Sequence, residues 1–82
     1  MINKVKIGEK LSKFIKTQRA EAGLTQQKLA ERADLSYKQI QRLETPTRKE
    51  KEKGIDPQLT TLYKLSRALN VDIDLLIKKI VF

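Results

Sequence analysis

Residues 25–44 read TQQKLAERADLSYKQIQRLE, and the reading of this stretch decides the fold. Two short helical patterns lie in it, nearly touching. In the first, Leu29, Ala30 and Ala33 recur at helical spacing, and Thr25 stands in the N-cap place. In the second, Ser36 precedes the pattern and Gln39 follows three residues on. This is a capping-box signature, in which each side chain satisfies an orphan backbone N–H at the start of the helix. Only Ala33-Asp34-Leu35 separates the two patterns. Asp34 takes the tightest place, and Asp tolerates left-handed backbone better than most non-glycine residues. Helices joined by so short a turn must cross steeply, which is helix-turn-helix geometry.

The second helix has two unlike faces. At about 100° per residue, Ile40 and Leu43 point one way and form its buried stripe. Lys38, Gln41 and Arg42 fall on the opposite face, with Tyr37 on its N-terminal flank. Lys and Arg donate to guanine, Gln pairs with adenine, and Tyr brings a ring and a hydroxyl. Taken singly, each of these residues is better explained as solvated helix surface. Taken together, on a two-helix turn in a basic chain, they point to duplex DNA, with Tyr37, Lys38 and Arg42 reading bases and Gln41 on the backbone.

Composition narrows the classes. A chain of 82 residues makes a single domain, 1–82, with a small core. Hydrophobic residues at 39% with only 5% aromatics suggest an aliphatic, all-α bundle. The net charge of +8 favours a polyanionic partner, nucleic acid before an anionic membrane surface. With neither Cys nor His, disulfides, thiolate metal sites and the commonest general base are excluded, so no catalytic residue, metal or cofactor is expected. The acidic pairs Asp72/Asp74 and Glu50/Glu52 read as a helix start and a charged loop, and no Gly-rich phosphate loop is present. The N-terminus has lysines but no apolar signal region, and no run is long enough to span a bilayer. A cytoplasmic location is therefore expected.

Around the central pair, Met1 to Lys6 reads as strand, helical turn or loose arm, without a choice between them. A first helix is expected from Ile7 to Ala22, with Ile7, Leu11, Phe14, Ile15, Gln18 and Ala22 on its apolar face and Gly23 as its left-handed stop. Asp56-Pro57 reads as N-cap and first residue of a fourth helix, Pro57 to Leu69, burying Leu59, Leu62, Leu65 and Leu69. Asn70 ends it, and Asp72 starts a fifth helix carrying Ile73, Leu75, Leu76, Ile77 and Ile80, followed by Val81 and Phe82.

The ordered set Arg19, Gly23-Leu24-Thr25-Gln26, Leu29-Ala30, Ser36, Ile40, Leu43-Glu44, Pro57, Leu59, Leu62, Leu65 and Ala68-Leu69-Asn70-Val71 resembles the Cro/C1-type (XRE-type) helix-turn-helix family. The resemblance runs from about Ile7 to Leu76, with Asn70 in place of the usual Gly. It implies a compact five-helix bundle, a lambda-repressor-like domain with the helix-turn-helix at 25–44. It also implies that Gln26 holds the DNA backbone and that Arg19 pairs with Glu44 between the first and third helices. Family members commonly dimerise, and the last helix carries more apolar surface than a small domain easily buries. Ile77, Ile80, Val81 and Phe82 are thus expected in a homodimer interface; the alternative is that they fold back over Ile7, Leu11 and Phe14.

The chain departs from the family at Thr45 to Ile55, TPTRKEKEKGI, which is several residues longer than the usual connection. It is expected to be an extended basic loop beside the DNA. There Arg48 and Lys49 add phosphate attraction, or the mixed-sign run is simply solvated. The functional expectation is a sequence-specific transcriptional regulator, a homodimer on a palindromic operator. The alternative is an antitoxin-type protein that sequesters a toxin partner and regulates its own operon.

Overall fold

The computed structural model describes residues 3–82, so Met1 and Ile2 and any expectation for them lie outside the described residues. Among these, the helices run α1 (Lys4–Glu21), α2 (Gln26–Ala33), α3 (Tyr37–Glu44), α4 (Arg48–Lys53), α5 (Leu59–Ala68) and α6 (Ile73–Val81). The fold is all-helical. α1 is the central strut, packing against α3, α4 and α6, while α5 closes the other side against α2 and α6.

Three helices end by the same local device. The amides of Leu24, Leu35 and Val71 each reach back five residues, to the carbonyls of Arg19, Ala30 and Ser66. The residue before each amide is left-handed: Gly23 at φ 68°, Asp34 at 55° and Asn70 at 56°. This is the Schellman arrangement, and the apolar residue that follows normally packs back on its own helix. Leu24, Leu35 and Val71 accordingly lie partly buried against the core. The sequence pairs Gly-Leu, Asp-Leu and Asn-Val therefore both stop a helix and anchor the chain after it.

The core draws on five helices. Leu11 and Ile15 of α1, Leu29 of α2, Ile40 of α3, Leu65 of α5 and Leu76 of α6 are all fully buried. Ile7 and Phe14 pack at its edge, whereas Ala22, expected on the same face, is exposed as the cap of α1. Ile80 is only 2% exposed and belongs to this core. It therefore offers nothing to a second copy, which corrects its expected place in a dimer interface. The physical reason is the docking of α6 along α1, which takes up Leu76 and Ile80 four residues apart on one face.

The 45–55 segment is not a loop throughout. Thr47 and Glu50 form a capping box, with Thr47 N–H donating to Glu50 Oε1 at 2.9 Å and Glu50 N–H to Thr47 Oγ1 at 3.2 Å. Glu50 thereby nucleates the short helix α4, and the charged run beyond it follows helically. The signal T-x-x-E is of the same kind as the one that marks α3, but the alternating charges make the segment read as solvated loop.

The start of α5 also departs from expectation. Its N-cap is Gln58, without a side-chain capping bond, and the helix begins at Leu59 rather than Pro57. The cause lies upstream, where Ile55 N–H donates to Lys4 O at 3.1 Å and Asp56 faces Lys4 in an exposed ion pair at 3.7 Å. Residues 54–58 are thereby held as a non-helical strap against the start of α1. Leu59, one turn before the first core residue of α5, is left 66% exposed instead of buried. The start of α1 is itself fixed by Asn3, whose side chain accepts from the amides of Val5 and Lys6, so the helix begins three residues earlier than expected.

Gly54 makes the strap possible. Its φ is +83°, and a Cβ there would lie 2.5 Å from the Lys4 carbonyl carbon and 2.6 Å from Val5 N. Both the backbone conformation and the close approach to α1 exclude a side chain. Gly54→Ala is expected to destabilise the fold by about 1–3 kcal/mol, measured as a lower urea midpoint with unchanged m value. An unaltered midpoint would mean that the strap contributes nothing to stability.

Candidate nucleic-acid interface

The helix α3 is held from below by one buried carboxylate. Glu44, the last residue of α3, has a fully buried side chain. Arg19 Nε donates to its Oε2 at 2.8 Å and Arg19 Nη2 to its Oε1 at 3.0 Å, a two-pronged pair. Gln26 Nε2 approaches the same Oε1 at 3.3 Å from the start of α2. The remaining guanidinium nitrogen, Nη1, donates to the Leu24 carbonyl at 2.8 Å, in the turn between α1 and α2. Ser12 donates its hydroxyl to the Glu44 carbonyl, satisfying one orphan acceptor at the end of α3. A single carboxylate thus ties α1, α2 and α3 into one geometry.

Above this lock, α3 turns its polar face outward. Ile40 and Leu43 are buried beneath it, while Lys38, Gln41 and Arg42 are exposed. These three side chains, with Gln26 from α2 and Lys49 from α4, line one open concavity of about 730 Å³. Tyr37 is 47% exposed but stands outside the concavity, on the N-terminal flank. Arg48 also stands outside it, with its Nε 3.4 Å from Glu52 Oε1 on the outer side of α4. The geometry therefore gathers Gln26, Lys38, Gln41, Arg42 and Lys49, and leaves Tyr37 and Arg48 at the margin.

Glu50 joins this surface unannounced by its sequence context. It lines the concavity, and its carboxyl is held below the usual carboxylate range, first by the Thr47 backbone N–H, then by the Thr47 side chain, with Arg42 adding. It therefore remains ionised at neutral pH. Its negative charge stands among Lys38, Arg42 and Lys49 and offsets part of their field. The capping signature at Thr47 and Glu50 is the one sequence signal that locates it.

At eight residues, α3 is about 12 Å long by the rise of an α-helix. An α-helix with its side chains is about 10–12 Å across, which the major groove of B-DNA, about 12 Å wide, admits. Residues 15–48 match the family model described as Helix-turn-helix. The segment is a helix-turn-helix of the Cro/C1 type. Its presence supports a DNA-binding transcriptional regulator. The chain is also similar to a solved structure, the wild-type restriction-modification controller protein C.Esp1396I. The two are 27% identical, with 90% of this chain and 92% of that chain covered at a TM-score of 0.66. No curated protein matches. No helix among the described residues is long and apolar enough to cross a membrane.

The lock under the helix-turn-helix has a measurable signature. Arg19→Met leaves the Glu44 carboxylate buried without its charge partner and is expected to cost about 3–5 kcal/mol in urea unfolding. Arg19→Met combined with Glu44→Leu should recover most of that loss, since the stranded charge is gone. A double variant as unstable as the sum of the two singles would rule out this coupling.

Proposed function

We propose that this protein is a sequence-specific regulator that binds double-stranded DNA as a homodimer, with each α3 in a major groove. The observation that carries the reading is the α3 face: an apolar underside sealed in the core, and an exposed upper side gathered with Gln26 and Lys49. Lys38 and Arg42 suit guanine O6 and N7, and Tyr37 suits a flanking base or thymine methyl. Gln26, Gln41 and Lys49 hold the backbone and fix the register. Arg48, paired outward with Glu52, serves as a peripheral phosphate contact that must first part from its carboxylate. The likeness to a restriction-modification controller supports regulation of transcription over toxin sequestration as the main task.

What the fold leaves uncovered supports dimer formation. Leu59 and Tyr63 of α5, Leu75 of α6 and Phe82 just after it are exposed apolar or aromatic side chains, and Ile77 and Val81 are only partly covered. A small domain rarely leaves so much apolar surface in water without a use for it. A two-fold pairing through this region presents two recognition helices to half-sites about one helical turn apart, roughly 34 Å, on a palindromic operator.

The direct test is a gel-shift titration at fixed salt against the duplex upstream of the gene, with an unrelated duplex as competitor. Native protein is expected to prefer the upstream duplex. Arg42→Ala should weaken that binding by about 1–3 kcal/mol while changing competitor binding little. Equal, salt-sensitive binding of native protein to both duplexes would reject base reading.

Assembly is tested separately by sedimentation. The native chain is expected to sediment as a dimer at micromolar concentration, and a Leu75→Lys/Phe82→Lys variant as a monomer with unchanged helicity. Monomer alone for the native protein at high micromolar concentration would eliminate the homodimer.

A further inference from the structure

A second groove lies beside the recognition concavity, on the α1 side of α4. It encloses about 330 Å³, and it shares Thr45 and Glu50 with the first, so the two grooves meet along the α3–α4 junction. α4 forms the ridge between them. Lys49 stands on the recognition side of that ridge and Lys51 on the α1 side. Across from Lys51, the α1 wall supplies Lys13 and Lys16, three residues apart on one helical face.

These lysines are not used inside the protein. Lys13, Lys16, Lys49 and Lys51 are exposed, and among the described residues none of them is in an ion pair. Glu44, whose backbone reaches the floor of the groove, has its charge taken up by Arg19. Glu50 stays ionised while it accepts from Thr47, so Glu9 and Glu50 are the carboxylates that oppose the three lysines of this groove. The charge of the chain as a whole is +8, which favours a polyanionic partner.

We propose that this groove is a second phosphate-binding strip, on which Lys13, Lys16 and Lys51 hold the DNA backbone just beyond the base pairs read by α3. The proposal rests on the DNA-binding reading above and extends it. Its occupant is the sugar-phosphate backbone because lysines outnumber carboxylates along the strip, the groove adjoins the recognition concavity at Thr45 and Glu50, and a ridge cation, Lys49, faces the first groove. Contacts of this kind carry no sequence information; they add affinity and salt dependence. α4 is what brings Lys51 opposite α1, so the long connection after α3 acquires a role in lengthening the footprint.

The experiment is the salt dependence of binding to a mixed-sequence duplex several helical turns long. It compares native protein with Lys13→Gln/Lys16→Gln/Lys51→Gln and with a control, Lys10→Gln/Lys78→Gln/Lys79→Gln, that removes the same charge elsewhere. Circular dichroism checks that both variants are folded. Neutralising one phosphate-bound lysine lowers the slope of log K against log salt by about 0.9, so the strip variant is expected to fall by roughly 2–3. The control should fall by well under one. Hydroxyl-radical footprints on the same duplex should shorten at the outer edge for the strip variant alone.

A strip variant with the native slope overturns the proposal and assigns the groove to something other than DNA. Equal reductions of slope in both variants overturn it as well, since the effect is then diffuse charge. Failure of the base-reading proposal looks different: Arg42→Ala then leaves duplex preference unchanged, whatever the strip variant does.

Discussion

Glu44 is a carboxylate with no access to water, and that constraint organises the DNA-binding half of the molecule. A buried charge of this kind is tolerated only with a partner and enough hydrogen bonds to replace its hydration. Arg19 supplies both prongs of the partner from α1, Gln26 adds a donor from α2, and Ser12 meets the backbone carbonyl of the same residue. Meeting these needs fixes where α3 ends relative to two other helices. The orientation of the exposed face of α3 is therefore set from inside, by electrostatics, before any nucleic acid is present. Such preorganisation reduces the ordering cost of binding.

The aliphatic core and the three Schellman turns act on a different level. They set the helix ends and the crossing of α2 with α3, and they do so through local sequence: a residue able to adopt left-handed backbone, followed by an apolar one. Arg19, by contrast, must reach a residue 25 positions away. The domain thus combines local stop signals that place each helix with one long-range polar contact that aligns them.

The legibility of the sequence follows the same division. Capping signatures locate the starts of α2 and α3 to the residue, and helical periodicity marks their buried faces, because both are local. α4 is hidden although its capping box is spelled out at Thr47 and Glu50, since the alternation of Lys and Glu carries no apolar face to reveal a helix. The start of α5 is misplaced because Asp56-Pro57 is a good local start signal that a tertiary contact overrides: the strap to Lys4 holds those residues non-helical. Ile80 cannot be sorted from Ile77 and Val81 by pattern alone, as a run so rich in apolar residues shows no single face until a neighbouring helix selects one. On the DNA-facing surface, the face of α3 is readable from its period. The gathering of Lys49 and Glu50 beside it is not, because it depends on α4.

The packing of α6 on α1 bears on how the chain is made. The two helices are separated by 51 residues of sequence, those between Glu21 and Ile73, so α1 leaves the ribosome well before its neighbour exists. At about 5–20 residues per second, that face of α1 waits several seconds for its cover. During that interval it is an amphipathic helix with an open apolar side. The lysines along its other side, Lys10, Lys13 and Lys16, then act as solubilising groups for a nascent chain. Charges on the exposed side of a helix thus protect the unfinished chain from self-association.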